Sequence, residues 1–149
     1  MTRIAALILS AVLAAPAIAQ LAEAAQEPES LIRDATEVTP AELEWVARPL
    51  VVFADSPNDP RFVQQLDLIE ERLDTLAERD VVVITDTDPA DPSEFRESLR
   101  PRGFMLVVLA KDGSVILRKP APWSVREITR SIDKQPLRQQ EIRDRRSDE

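Results

Sequence analysis

The sequence predicts one α/β domain built on a four-stranded mixed sheet, a parallel pair extended by an antiparallel hairpin, with helices on both faces. Three observations predict it. Residues 50–54, 81–84 and 104–110 are continuous apolar runs of strand length, and unbroken apolarity suits strands covered on both faces. A helical pattern lies between the first two runs, which implies a parallel crossover. Asp112-Gly113 follows the third run and marks a tight turn, so residues 115–118 return antiparallel.

The amino-terminal residues have a separate logic. Arg3 gives a positive start, residues 4–15 are almost all apolar, and Ala17-Ile18-Ala19 offers a small-x-small cleavage pattern before Gln20. That is the layout of a secretory signal peptide over residues 1–19. The run falls short of the roughly 20 apolar residues a membrane span needs. The expected location is therefore the periplasm or the exterior, with no membrane span after cleavage. Residues 20–38 are expected to form a flexible leader.

Thr39-Pro40-Ala41-Glu42 reads as a capping box with proline at the first helical position. A short helix carrying Leu43, Trp45 and Val46 should follow and break at Arg48-Pro49. After the first strand, Asp59-Pro60 supplies another helix start. Phe62, Leu66, Ile69, Leu73 and Leu76 recur at alternating spacings of four and three, which draws one apolar stripe on a helix reaching Arg79. Asp91-Pro92-Ser93-Glu94 repeats the cap-and-box device ahead of a short helix with Phe95 and Leu99, stopped by Pro101. Ser124 and Glu127 open a last helix with Val125, Ile128 and Ile132 on one face, ended before Pro136. The core domain is thus expected over residues 39–138. Residues 139–149 are a charged tail, read as a solvated helix end or disorder. Strand, helix, strand, short helix, hairpin, helix is the thioredoxin-like plan.

Composition narrows the chemistry. The chain has no Cys, no His and no Tyr, so dithiol redox chemistry, thiol nucleophiles, Cys/His zinc sites and a Ser-His-Asp triad are excluded within it. Only Gly103 and Gly113 are present, which removes glycine-rich phosphate loops. A formal net charge of −8 repels a phosphate backbone, so nucleic acid is not an expected partner. No cofactor is called for.

Several segments also resemble a known family. Residues 48–54 (RPLVVFA), 59–61 (DPR), 78–83 (ERDVVV), 109–113 (LAKDG) with Leu117-Arg118, and Ile132-Asp133 followed by 136–141 (PLRQQE) are similar, in the same order, to domain-of-unknown-function family 4174. The resemblance implies a thioredoxin-like fold in secreted or periplasmic proteins, with related domains in extracellular matrix proteins that carry sushi repeats. It implies no activity.

In open α/β sheets ligands sit beyond the carboxyl ends of the parallel strands. Here that edge is residues 55–59 and 85–88. In thioredoxins the first of these loops carries the reactive cysteines; this chain has Ser56 and Asn58 in that neighbourhood. Asp55, Ser56, Asn58, Asp59, Arg61, Asp86, Asp88 and Trp123 are the candidate ligand or partner residues. The carboxylates could serve a hard cation or an Asp-based metal-dependent enzyme or ligand binder. Against that, Asp59 is already explained as a helix cap, and Asp-rich loops are ordinary turn chemistry. Arg61, Arg118 and Arg138 read as salt-bridging residues, and Trp123 as packing under the final helix. The residues favour a non-enzymatic binding module with a periplasmic protein partner, on a scaffold without redox activity.

Overall fold

The computed structural model describes residues 30–149; the signal-peptide reading, and the first ten leader residues, lie outside the described residues. The sheet has five strands, not four. Strand β1 (Ile32–Asp34) pairs in parallel with β3 (Val81–Asp86), and β3 pairs in parallel with β2 (Arg48–Phe53). β2 then runs antiparallel to β4 (Met105–Leu109), and β4 antiparallel to β5 (Val115–Lys119). The order across the sheet is β1-β3-β2-β4-β5.

The extra strand corrects the leader reading. Three residues give too short a run for a sequence pattern to declare itself, and Arg33 and Asp34 break its apolarity. Ile32, Arg33 and Asp34 match Val83, Ile84 and Thr85 in register, and Leu31 O accepts from Val83 N–H at 2.8 Å. Tertiary pairing, not local propensity, makes this strand.

Helices cover both faces. Against one face lie α2 (Pro60–Glu70), α3 (Leu73–Ala77) and α5 (Val125–Asp133), which bring Phe62, Ile69, Leu76, Ile128 and Ile132 onto Leu50, Val52, Val83 and Leu106. Against the other lie α1 (Pro40–Leu43) and α4 (Glu94–Leu99), with Leu43 and Phe95 on Val51, Phe53, Ile84 and Val107. All six residues of β2 are buried, as unbroken apolarity predicts for a central strand.

Local signals set the helix starts. Thr39 and Glu42 form the reciprocal capping box, Asp59 caps α2 ahead of Pro60, and Ser124 caps α5. The cap of α4 is Ser93, not Asp91; its hydroxyl accepts from Arg96 N–H, and with Arg96 at the third helical position no capping box closes there.

The stripe from Phe62 to Leu76 is buried or half-buried along its length, but two helices carry it. Arg72 leaves the helical region at φ −140°, between α2 and α3. Strict seven-residue spacing drifts about 20° per heptad on a straight helix, and this break re-aims Leu73 and Leu76 at the sheet. The first helix also ends early. α1 stops at Leu43, and Trp45, expected on it, adopts φ +63°.

Helix α6 (Pro136–Ser147) carries most of the charged tail; its first half docks through Arg138 and Glu141, while residues 143–149 are exposed. Its docking uses charge rather than an apolar stripe, which is why no core-forming pattern is visible there.

The two poles of the sheet and the candidate binding surface

The carboxyl ends of β2 and β3 carry most of the candidate residues, and the structure divides them into closed groups. Asp86 ends β3 and is 5% exposed. Its Oδ1 accepts from Arg96 Nε at 2.9 Å and Nη2 at 2.7 Å, and its Oδ2 accepts from the Ser93 hydroxyl. Arg96 Nη2 also donates to the Ala54 and Asp86 carbonyls, and its guanidinium lies 5.4 Å from the centre of the Phe53 ring. Asp86 is thus a buried structural anion neutralised by a forked cation.

Asp59 accepts from the Arg61 backbone N–H at 2.9 Å and from its guanidinium at 3.1 and 2.8 Å. Those bonds hold the Asp59 carboxyl below the usual carboxylate range and raise Arg61 in return. Arg61 also covers the Phe104 ring at 5.6 Å. The Ser56 hydroxyl accepts from Asn58 N–H within its own turn, and Asp88 accepts from Ala90 N–H in another. Asp55 is exposed beside the Gly103 loop, where the glycine takes φ +60°.

Trp123 lies at the same pole but faces inward. Its N–H donates to Gln65 Oε1 at 2.7 Å and its carbonyl accepts from Gln65 Nε2 at 3.0 Å, with Gln65 fully buried. Lys119 Nζ stands 4.3 Å from the ring centre. Trp123 therefore packs under the start of α5. Of the sequence-derived residues, Asp86 and Asp88 line one small polar hollow of about 190 Å³ with Asp34, Asp91 and Ser93, and no group of three or more His, Cys, Asp or Glu able to hold a metal occurs among the described residues.

The opposite, amino pole holds a charge cluster. Arg48, at 1% exposed, donates to the Arg79 carbonyl and to Glu141 Oε1, both at 2.8 Å. Glu141 also takes Lys111 Nζ at 3.2 Å and Arg138 Nη1 at 3.1 Å. Lys111 reaches Asp80 at 2.9 Å, Arg79 grips Asp133 through two bonds of 2.9 Å, and Arg138 donates to the Glu78 carbonyl. Burial alone would push the Glu141 carboxyl up; the bonds from Arg48, Arg138 and Lys111 outweigh it and bring it down to about 2. This cluster pins α6 to the sheet. Every segment quoted for the family resemblance except DPR and Leu117-Arg118 contributes to it. Arg138 is the salt-bridging residue expected, whereas Arg118 spans to the Leu99 carbonyl at 2.8 Å.

Beside this cluster, on the face carrying α1 and α4, lies a groove of about 550 Å³. Leu43, Ala47, Pro49, Phe95, Leu99 and Leu109 form its apolar lining. Leu43, Ala47, Phe95 and Leu109 are core residues at most 6% exposed, so the groove shows only their outer edges, and the sequence reads them as ordinary core positions.

The pattern of the family described as "Domain of unknown function (DUF4174)" matches residues 39–141. The chain belongs to this family. No curated protein matches the sequence. Among solved structures, the DUF4174 chain is similar to the reduced 2-Cys peroxiredoxin of Plasmodium vivax, at a TM-score of 0.54 and 14% identity over 64% of this chain and 81% of that one. It is also similar to chloroplastic thioredoxin z, at a TM-score of 0.50 and 19% identity over 67% of this chain and 88% of that one. At these identities the likeness speaks for a thioredoxin-like fold alone.

Proposed function

We propose that this DUF4174 chain is an exported binding module on a cysteine-free thioredoxin-like scaffold, without redox or hydrolytic activity of its own. One observation carries the reading: at the carboxyl pole, where an α/β sheet ordinarily hosts chemistry, the two carboxylates at the strand end and the helix start are each occupied by an arginine. Asp86 is closed by Arg96 and Ser93, and Asp59 by Arg61. A general acid or base needs a free group in reach of a substrate proton, and Asp55 and Asp88 are wet, separate carboxylates. A recess of about 550 Å³ lies at the amino pole instead, where Ser98 in its lining donates to the Phe95 carbonyl within α4.

Export rests on the apolar start of the sequence, residues 4–15 before Ala19. Mass spectrometry of the protein from a periplasmic fraction is expected to find Gln20 as its first residue. For binding, the tagged full chain is crosslinked in cells and purified. The expected result is one discrete protein partner at near-stoichiometric yield, unaffected by removing Asp55 and Asp88 together. Loss of a ligand response or of a measured turnover on that double change would instead support Asp-based chemistry and sink this reading.

A further inference from the structure

We infer that the turn bearing Trp45 and Val46, whose neighbours Glu44 and Ala47 line the groove beside α1 and α4 and whose Val46 lines a second hollow, is the docking surface for a basic amphipathic protein segment. Such a segment carries apolar side chains along one side and Lys or Arg beside them. The inference rests on the binding-module reading and adds its surface and the chemistry of the partner.

Trp45 is 64% exposed and Val46 66%, and Trp45 belongs to neither core cluster. Side chains bearing a Cβ disfavour the left-handed backbone region, yet Trp45 is held there at φ +63°. Its N–H donates to the Lys111 carbonyl at 2.7 Å, while the N–H groups of Val46 and Ala47 both reach the Leu43 carbonyl. This turn projects two large apolar side chains outward beside the groove. Exposed tryptophans beside recesses are the usual anchors of protein interfaces.

The rim supplies the sign. Glu44, Glu94 and Asp112 line the groove and are exposed. Lys111 is the one cation of the lining, and its ammonium is turned to Asp80 and Glu141. The open field is therefore negative, which selects cationic flanks and repels nucleic acid. A second hollow of about 270 Å³, lined by Leu31, Val46, Ala47 and Val82 with Arg33 and Asp80 of opposite charge, shares Leu43 and Ala47 with the groove. Two adjoining recesses suit a segment with spaced apolar anchors, the groove mode of peptide recognition. Polar groups stand at the rim rather than converging on the floor, unlike a small-molecule site.

The test uses the full chain with a photo-crosslinking residue, benzoylphenylalanine, replacing Val46, Val63 or Val115 in turn, all three exposed. Val46 is on the turn and lines the second hollow, Val63 is on α2 and Val115 on edge strand β5. The expected result is a partner adduct from position 46 only, mapped by tandem mass spectrometry to a stretch with apolar residues flanked by Lys or Arg. A synthetic peptide of that stretch should bind the wild type, and W45N should weaken it at least tenfold. Exchanging the peptide's basic residues for glutamate should do the same. Adducts from 63 or 115 alone overturn the groove while leaving the binding-module reading standing. An adduct at 46 with a second copy of this chain, or with an acidic or neutral segment, overturns it too, as does unchanged binding by W45N. No adduct at any position overturns both readings.

Discussion

Arg96 and Asp86 show how one buried residue pair closes off a chemical edge. A buried carboxylate stripped of its cation costs roughly 3–5 kcal/mol, whereas replacing both partners with apolar groups is often near neutral. Arg96→Met should therefore destabilise the domain by about that amount in urea titrations, because Asp86 stays buried and two carbonyls lose a donor. Asp86→Leu combined with Arg96→Met should recover at least half of the loss. A single-variant effect under about 1 kcal/mol would mean that the pair is not the anchor the geometry describes. Trp45 is the opposite case, a residue whose conformation works against stability. Asparagine tolerates the left-handed region, and little burial is lost with a side chain 64% exposed. Trp45→Asn should raise stability by about 0.5–1 kcal/mol while removing the interface anchor. A lower urea midpoint for that variant would show that the ring packs after all.

At the scale of elements, α6 is held by charge. The Glu141 carboxyl falls from its ordinary 4.5 to about 2 in the folded protein. A depressed folded pKa contributes stability that is present above about pH 4.5 and lost as pH falls toward 2. The contribution is at most about 3 kcal/mol, on the scale of 1.36 kcal/mol per pH unit. The wild-type urea midpoint should drop across that window. Glu141→Gln should be less stable at pH 7 and show a flatter acid limb; an unchanged acid limb would contradict the clasp. This docking was not legible in the sequence, since Glu141 meets Lys111 and Arg48 across 30 and 93 residues, Arg138 reaches the Glu78 carbonyl across 60, and such contacts leave no periodic trace. The caps at Thr39, Asp59 and Ser124 were legible because one local hydrogen bond sets each of them. So were the buried runs of β2, β3 and β4. β1 was not, because its pairing with β3 is wholly long-range, and Trp45 was not, because nothing nearby in sequence announces a left-handed tryptophan.

For the whole molecule, the two poles of the sheet differ in kind. At the carboxyl pole Asp59 and Asp86 are paired with Arg61 and Arg96, while Asp55 and Asp88 are exposed. The amino pole combines a rigid charge cluster with an apolar groove, and Lys111 links them: its side chain joins Asp80 and Glu141, and its carbonyl holds the Trp45 turn. Loosening α6 should therefore weaken binding at the groove as well as the fold. The most direct test is calorimetric titration of the purified crosslinked partner against three proteins: wild type, Trp45→Asn, and a variant lacking Asp55 and Asp88. Binding lost at least tenfold in Trp45→Asn and unchanged in the double-aspartate variant is the predicted result. The reverse pattern, or heat that continues as turnover after saturation, would return function to the carboxyl pole and contradict the account.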